Sequence, residues 1–149
     1  ERLRKGRSHL SAERALSGPG LAELYLAIAA SHGMHPARLE PNDVLTRALS
    51  GEDRIAVEAL DVFVTWLGRF AGDAALLFGA RGGVYLGGGI APKIAHKLSS
   101  GAFRAAFEQK GRMIAYLAPI PVYVILAGFA TLKGAAAALG AQFAALAKV

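Results

Sequence analysis

The pattern of apolar and polar residues predicts a chain built mainly of helices. Its clearest segment runs from about Asp53 to Phe78, where polar residues recur every three or four positions. One long helix is expected there, with a polar stripe so narrow that most of its sides should be buried. Gly68 and Gly72, one turn apart, should let another backbone come close. The broad apolar face contains Leu60, Phe63, Leu67, Phe70 and Leu77.

Shorter helices are predicted on the N-terminal side of this segment. Ser11 can cap a short helix, and Pro19 suits the first turn of the next one. Asn42 can cap a third helix that Gly51 stops. In chain order the expected elements are a helix over 11–16, a glycine and proline break over 17–20, a helix to about 31, a loop over 33–41 and a helix over 42–49.

Two short apolar runs bounded by glycine or proline predict buried strands in the C-terminal half. The first is Val84–Leu86, between Gly83 and Gly87, and the second is Val122–Leu126. Helices are expected around them, so the chain has a helix-rich α/β composition and no internal repeat. These helices are expected from 92 onward, over 100–109, over 113–117 and over 132–146.

A membrane span is the alternative for one part of this region. Met113 to Leu132 carries no charge, lies between Arg112 and Lys133, and is long enough to cross a bilayer. Pro119 and Pro121 each remove a backbone donor and disfavour helix in the residue before them. Prolines followed by a β-branched run suit a buried strand, so no membrane contact is expected.

Composition narrows the class of protein further. The chain has 149 residues, 54% of them apolar, which is enough for one unit with a core. It has no cysteine, which excludes disulfides and thiolate metal sites and is compatible with a cytoplasmic location. No initiator Met or leader precedes Glu1, which favours a piece of a longer protein.

The net charge of +6 raises the possibility of nucleic-acid binding. The cations are scattered, however, and few aromatic residues lie among them. A solvated basic helix end is therefore the preferred interpretation, and no nucleic acid is expected as a partner. The cations that lie close together are Arg2, Arg4, Lys5 and Arg7.

Candidate metal ligands and nucleophiles are few. His32 and His35 could share a helical face only if the helix continued past Gly33, and no carboxylate at ligand spacing accompanies them. Solvated histidines at a helix end are the preferred interpretation, so no metal site is expected. No serine lies in a nucleophile elbow.

The glycine cluster Gly87–Gly89 carries more chemical information. Glycines after a strand let a phosphate or nucleotide approach the backbone, and a following helix would offer free N–H groups and a positive dipole end. The cluster is neither a Walker loop nor a Rossmann fingerprint. From these residues alone, a nucleotide loop and a tight turn both remain open.

Four strings taken together resemble the proteobacterial glucokinase family in order and spacing. They are SHLSAERALSGPGL at 8–21, LGGGIAP at 86–92, FRAAFEQKGR at 103–112 and PIPVY at 119–123. The third string is the most specific, and the resemblance covers nearly the whole chain.

This resemblance implies an actin-like ATPase fold of the hexokinase/glucokinase, ribonuclease H-like type. Residues 1–149 would then be a single unit, the C-terminal part of the larger lobe, with the N-terminal lobe absent. The implied enzyme is a cytoplasmic, ATP-dependent glucokinase that converts glucose to glucose 6-phosphate in glycolysis. It would use ATP and Mg²⁺ and could form a homodimer.

The same resemblance assigns individual residues. Glu13 matches a glutamate that hydrogen-bonds the sugar hydroxyls, and Gly88 and Gly89 match the loop that meets the nucleotide. Gly18 and Gly20 match a turn beside the sugar site. A purely structural role for Glu13 is also open, since a carboxylate two residues after the cap Ser11 would support the start of a helix.

Several parts of the family pattern have no counterpart here. The phosphate loop, the catalytic aspartate after an asparagine and a Glu-Gly-Gly-His sugar motif all lie upstream of the matching segment. Asn42-Asp43 has the same two residues as the catalytic pair. It follows Glu13 in the sequence, however, whereas the family pair precedes the matching glutamate, so we reject it as the catalytic pair. No catalytic residue is therefore expected in this chain, which alone should be inactive. The alternative is a non-catalytic binding or dimerisation module built on the same lobe.

Overall fold

The structure, a computed structural model, describes residues 3, 6 and 8–146, so the basic cluster of Arg2, Arg4, Lys5 and Arg7 lies outside the described residues. Helices dominate it, as the sequence predicts. They are α1 (Ala12–Ala15), α2 (Gly18–Ser31), α3 (Pro41–Ser50), α4 (Arg54–Leu77), α5 (Ala95–Ser99), α6 (Ala102–Glu108), α7 (Ile114–Leu117) and α8 (Ala130–Leu146). Two strands, β1 (Val84–Leu86) and β2 (Val122–Val124), and two 3-10 turns, Ala91–Ile94 and Gly111–Met113, complete the order.

Helix α4 is the centre of the fold, and α2, α3 and α6 pack against it. Its first turn is fixed by Asp53, whose Oδ1 accepts from the N–H groups of Ile55 (2.9 Å) and Ala56 (3.1 Å). Oδ2 of the same carboxylate accepts from the Tyr25 hydroxyl of α2 (3.0 Å). Burial raises the pKa of Tyr25 above its ordinary value, and the bond to Asp53 and its charge raise it further. The hydroxyl thus stays protonated and ties α2 to the start of α4.

The expected close approach at Gly68 and Gly72 is confirmed. A Cβ built at Gly68 would lie less than 3.0 Å from the carbonyl oxygen of Phe103, and one at Gly72 equally close to that of Phe107. Both carbonyls belong to α6. The Lys110 ammonium then donates to the Arg69 carbonyl oxygen (2.9 Å) and pairs with Asp73 (2.6 Å), at the same contact. These glycines therefore determine how closely α6 lies against α4.

The two strands form a parallel pair in which Val84 is opposite Val122 and Leu86 is opposite Val124. The expectation that both strands are buried is only half right. Leu86 faces the core, whereas the stacked rings of Tyr85 and Tyr123 are exposed (66% and 46%, centroids 5.0 Å apart). The described residues cover only one face of this two-stranded sheet. The side chains that point to the other face, including Tyr85 and Tyr123, are therefore exposed to solvent.

The long helix also departs from its predicted burial. Leu60 and Phe63 are buried, but Phe70 and Leu77 are 50% and 79% exposed, which corrects the expectation of burial on most sides. The physical reason is that α2, α3 and α6 cover only part of the apolar circumference of α4. Helix α8 begins two residues before its predicted start, and its large apolar side chains are exposed as well, namely Leu132, Leu139 and Phe143.

The start of α2 differs from the predicted break over 17–20. Ser17 is the cap, with its Oγ accepting from the N–H of Gly20 (3.2 Å), so Gly18-Pro19-Gly20 form the first helical turn. A Cβ at Gly20 would lie less than 3.0 Å from the carbonyl oxygen of Ala15. Gly20 therefore lets α2 begin directly over the end of α1. Fewer residues separate the two helices than the predicted break over 17–20 implied.

The predicted cap of the third helix is wrong. Glu40 precedes α3 and Pro41 is its first residue, so proline supplies the preorganised first turn without a side-chain cap. The Asn42 side-chain oxygen instead accepts from the Lys93 ammonium (2.8 Å). Gly51 ends the helix in the left-handed region (φ +75°), as predicted.

The uncharged stretch from Met113 to Leu132 is divided among several elements. It contains α7, a Pro119 to Pro121 connection, β2 and the first residues of α8. Within residues 3, 6 and 8–146, each helix falls short of the length or the apolar character that a bilayer crossing needs.

Candidate functional site

The short helix α1 carries the predicted sugar ligand. Ser11 caps it, as expected, with its Oγ accepting from the N–H of Arg14 (3.3 Å). This places Glu13 in the first turn, where its side chain is exposed. Both roles considered for Glu13 remain compatible with this position, because an exposed carboxylate can meet a ligand and also support a helix start.

The glycine loop follows β1 directly. Gly87, Gly88 and Gly89 are exposed, and Gly88 has a φ of +105°, which L side chains rarely adopt. Cβ atoms built at Gly88 or Gly89 would have no heavy atom of the described residues within 4 Å. The loop therefore leaves open space over its backbone, which is what the approach of a ligand to main-chain N–H groups requires.

The element after the loop is not the expected helix. Ala91–Ile94 is a 3-10 turn in which the Ile90 carbonyl oxygen accepts from the N–H groups of Lys93 (2.9 Å) and Ile94 (3.2 Å). The α-helix begins only at Ala95 and has five residues. Such a short element carries little macrodipole, so open backbone rather than a helix end is what the loop offers an anion.

A cavity of about 450 Å³ lies between the glycine loop and α4. Its apolar wall includes Phe63, Leu67 and Phe70, which sequence patterning assigned to the core only. Their periodicity could not have distinguished a core face from a cavity wall. The other side combines two glycine segments distant in sequence, residues 16–18 and 87–89.

The structure thus brings together three of the predicted site residues and leaves two outside. Gly18, Gly88 and Gly89 line the same cavity, whereas Glu13 and Gly20 do not. Glu13 lies on α1, whose C-terminal neighbour Leu16 reaches the cavity wall. The carboxylate therefore lies outside the cavity, on the short helix that precedes Leu16.

The described residues do not form a metal site. No group of three His, Asp or Glu side chains among them is placed to hold a metal ion. His32 pairs instead with Glu58 (2.9 Å), and His35 is exposed. Among the residues that the structure describes, no carboxylate lines the glycine cavity. The part of the chain that the structure describes therefore does not fit a bound Mg²⁺ by itself, whereas its open glycine backbone does fit a phosphate group.

Comparison with known proteins identifies what the chain is similar to. The family model described as glucokinase matches residues 1–142. A glucokinase of Neisseria meningitidis serogroup B is 50% identical over 131 residues, which are 88% of this chain and 40% of that protein. A glucokinase of Aromatoleum aromaticum is 53% identical over 131 residues, with the same two shares, 88% and 40%.

A solved structure gives the same result. The crystal structure of glucokinase from an Antarctic psychrotroph superposes with a TM-score of 0.78 at 41% identity, covering 83% of this chain and 39% of that one. The helix-rich α/β arrangement is therefore shared with a solved glucokinase. The chain spans about 40% of the length of the curated relatives it matches.

Proposed function

The chain belongs to the glucokinase family, and from that premise we propose that it is the C-terminal part of an ATP-dependent glucokinase. The whole enzyme would transfer the terminal phosphoryl group of ATP to the 6-hydroxyl of glucose and form glucose 6-phosphate. Its place would be glycolysis in the cytoplasm, and a homodimer remains a prediction.

The observation that carries this proposal is the cavity shared by the two glycine segments. The loop is exposed, Gly88 has a φ of +105°, and a Cβ built there would have no heavy atom of the described residues within 4 Å, which suits a phosphate chain that contacts backbone N–H groups. The apolar wall of Phe63, Leu67 and Phe70 lies beside it. Ligand sites in proteins commonly combine such an apolar wall with a few polar groups. We assign the loop to ATP on this basis.

Sugar binding is assigned to the α1 side of the cavity. Glu13 is exposed on α1, and a carboxylate can accept hydrogen bonds from two hydroxyl groups at once. Gly20 allows α2 to start close to the end of α1, and Leu16, which follows α1, lines the cavity. The proposed site thus has a nucleotide side at Gly88 and Gly89 and a sugar side at Glu13.

The remaining chemistry is assigned to the rest of the enzyme. Phosphoryl transfer needs a group that accepts the proton of the sugar hydroxyl while its oxygen bonds to phosphorus and the bond to ADP breaks. No carboxylate lines the cavity of the described residues. When bound with ATP, Mg²⁺ would neutralise phosphate charge. This chain would bind and orient the two substrates, and the base would come from the N-terminal part.

We further propose that residues 1–149 form one unit of the larger lobe of an actin-like ATPase fold. Parallel sheets are normally covered on both faces, and the face that carries Tyr85 and Tyr123 is exposed here, as is Leu77 of α4. The N-terminal part of the enzyme would cover this apolar surface. This assignment accounts for exposed aromatic side chains that an independent domain would be expected to bury.

The proposal predicts that Gly88→Val in the full-length enzyme raises the KM for ATP by about fivefold, on the order of 1 kcal/mol. The valine side chain would project into the space that the nucleotide needs. Gly101→Val is the matched control, because Gly101 has a φ of +100° and equally open surroundings but does not line the cavity. Steady-state kinetics and melting temperatures of both variants are the measurement.

Both valines should lower the melting temperature to a similar extent, since both are strained by a similar φ. Only Gly88→Val should weaken ATP binding. Equal KM values for ATP in the two variants would show that the loop is only a structural turn. A full-length protein that does not phosphorylate glucose at all would overturn the proposed function itself.

A further inference from the structure

Arg104 of α6 makes a set of contacts that its position in the sequence does not suggest. Its Nη1 donates to the carbonyl oxygen of Ile120 (2.6 Å), and its Nη2 donates to those of Leu117 (3.0 Å) and Ala118 (2.5 Å). Its Nε donates to Glu108 one turn later. The Arg104 side chain is 33% exposed and its guanidinium contacts three carbonyl oxygens as well as Glu108, so it does more than form a surface ion pair.

The three carbonyls belong to the end of α7 and the connection that leads into β2. The last carbonyls of a helix have no partner within the helix, and a cation that donates to them satisfies them with charge-assisted bonds. The guanidinium also lies 5.0 Å from the centre of the Phe107 ring, which is fully buried. Arg104 thus fastens the entrance of β2 to α6, which the glycine contact at Gly72 holds against α4.

The position of β2 is transmitted to the glycine loop through the parallel pair. The N–H of Val84 donates to the Pro121 carbonyl oxygen (2.9 Å), and the N–H of Ile125 donates to the Leu86 carbonyl oxygen (2.9 Å). A Cβ at Gly87 would lie 3.5 Å from the Ile125 side chain. Among the described residues, β2 is the only strand that pairs with β1. The position of β2 therefore determines where the C-terminal end of β1 lies and where the glycine loop begins.

We propose that Arg104 is a positioning residue for the Gly87–Gly89 loop. It acts through the 117–120 carbonyls, β2 and β1, at a distance from the ligand, and touches no substrate. The inference that this affects ATP rests on the proposed function of the loop, whereas the positioning itself does not. A merely structural arginine would, in contrast, stabilise the whole unit without a preferential effect on this loop.

The test is Arg104→Lys in the full-length enzyme. Lysine keeps the positive charge, but a single ammonium group lacks the planar fork that reaches several carbonyls at once. Amide hydrogen exchange in residues 84–89 should become about tenfold faster, while exchange in α2 and α3 changes little. The KM for ATP should rise about fivefold, and the KM for glucose should stay within about twofold. Arg54→Lys is the control, since Arg54 is an exposed arginine outside this network.

Each outcome decides between the two roles. Unchanged exchange at 84–89, or equally faster exchange in all helices, would overturn the positioning role. Faster exchange at 84–89 with an unchanged ATP constant would support positioning and contradict the nucleotide assignment of the loop.

A second variant covers the case in which Arg104→Lys does not fold. Glu108→Gln removes the anionic partner of Arg104 and leaves the three carbonyl acceptors in place. Amide hydrogen exchange in residues 84–89 should then become at least about twofold faster than in the wild type, while exchange in α2 and α3 stays nearly unchanged. No preferential change there would overturn the inference.

Discussion

Gly72→Val is expected to destabilise the full-length enzyme by about 3 kcal/mol or more, because the new side chain would meet the backbone of α6. A Cβ at this position already lies less than 3.0 Å from the Phe107 carbonyl oxygen, and a carbonyl in a helix cannot move aside as a flexible side chain can. The Lys110 side chain, which pairs with Asp73, would also be displaced. Chemical denaturation of the wild type and the variant measures the change.

Gly134→Val is the matched control for this prediction. Gly134 is also a helical glycine, but a Cβ there would have no heavy atom within 4 Å among the described residues. Valine has a higher helix propensity than glycine, so the control should be neutral or stabilising by up to about 0.5 kcal/mol. A Gly72→Val protein as stable as the control would contradict the close α4 and α6 contact.

Glu13→Gln should raise the KM for glucose at least tenfold in the full-length enzyme and leave the KM for ATP nearly unchanged. Glutamine keeps the shape of the side chain but loses the charge that would strengthen the proposed hydrogen bonds to sugar hydroxyls. A hydrogen bond to a charged group is worth on the order of 1.5 to 3 kcal/mol, which accounts for the size of the effect. The two Michaelis constants and the melting temperature are measured together.

Asp43→Asn controls for the structural role of a first-turn carboxylate. Asp43 lies in the first turn of α3 and is exposed, as Glu13 is in α1. A carboxylate that only supports a helix start contributes about 0.3 to 1 kcal/mol of stability and does not affect sugar affinity. A lower melting temperature with an unaltered glucose constant in Glu13→Gln would assign Glu13 to that structural role.

Local signals in the sequence predicted much of the fold correctly. Ser11 caps α1, Gly51 ends α3 in the left-handed region, and Gly68 and Gly72 allow the approach of α6. Each of these depends on one or two residues whose chemistry has few alternatives, such as a hydroxyl cap or the absence of a Cβ. Local chemistry of this kind can be read before any tertiary structure is known.

Predictions that depended on tertiary partners were less accurate. Phe70 and Leu77 are apolar at helical spacing, but the pattern cannot say whether the element that covers them is part of this chain. Asn42 is a residue type that often caps helices, but α3 already begins at Pro41. The Asn42 side chain instead binds Lys93, which is distant in sequence. The contacts of Arg104 with carbonyls at 117–120 carry no sequence signal, because any residue provides a carbonyl.

The resemblance named candidate site residues, but it could not give their arrangement. The resemblance pointed to Gly18, Gly88 and Gly89, and the structure places all three on one cavity. Residue spacing could show neither that α4 supplies the apolar wall of the cavity nor that Glu13 lies outside it. The site roles themselves remain proposals that the variants above address.

We propose that this chain supplies binding surfaces of a glucokinase whose base and phosphate loop lie in the rest of the enzyme. A coupled assay with ATP and glucose on the purified full-length protein and on residues 1–149 alone tests it most directly. The full-length protein should form glucose 6-phosphate, and residues 1–149 should form none above the no-enzyme control. The missing groups each remove several kcal/mol of transition-state stabilisation. ATP- and glucose-dependent product from residues 1–149 alone, or no product from the full-length protein, would contradict the claim.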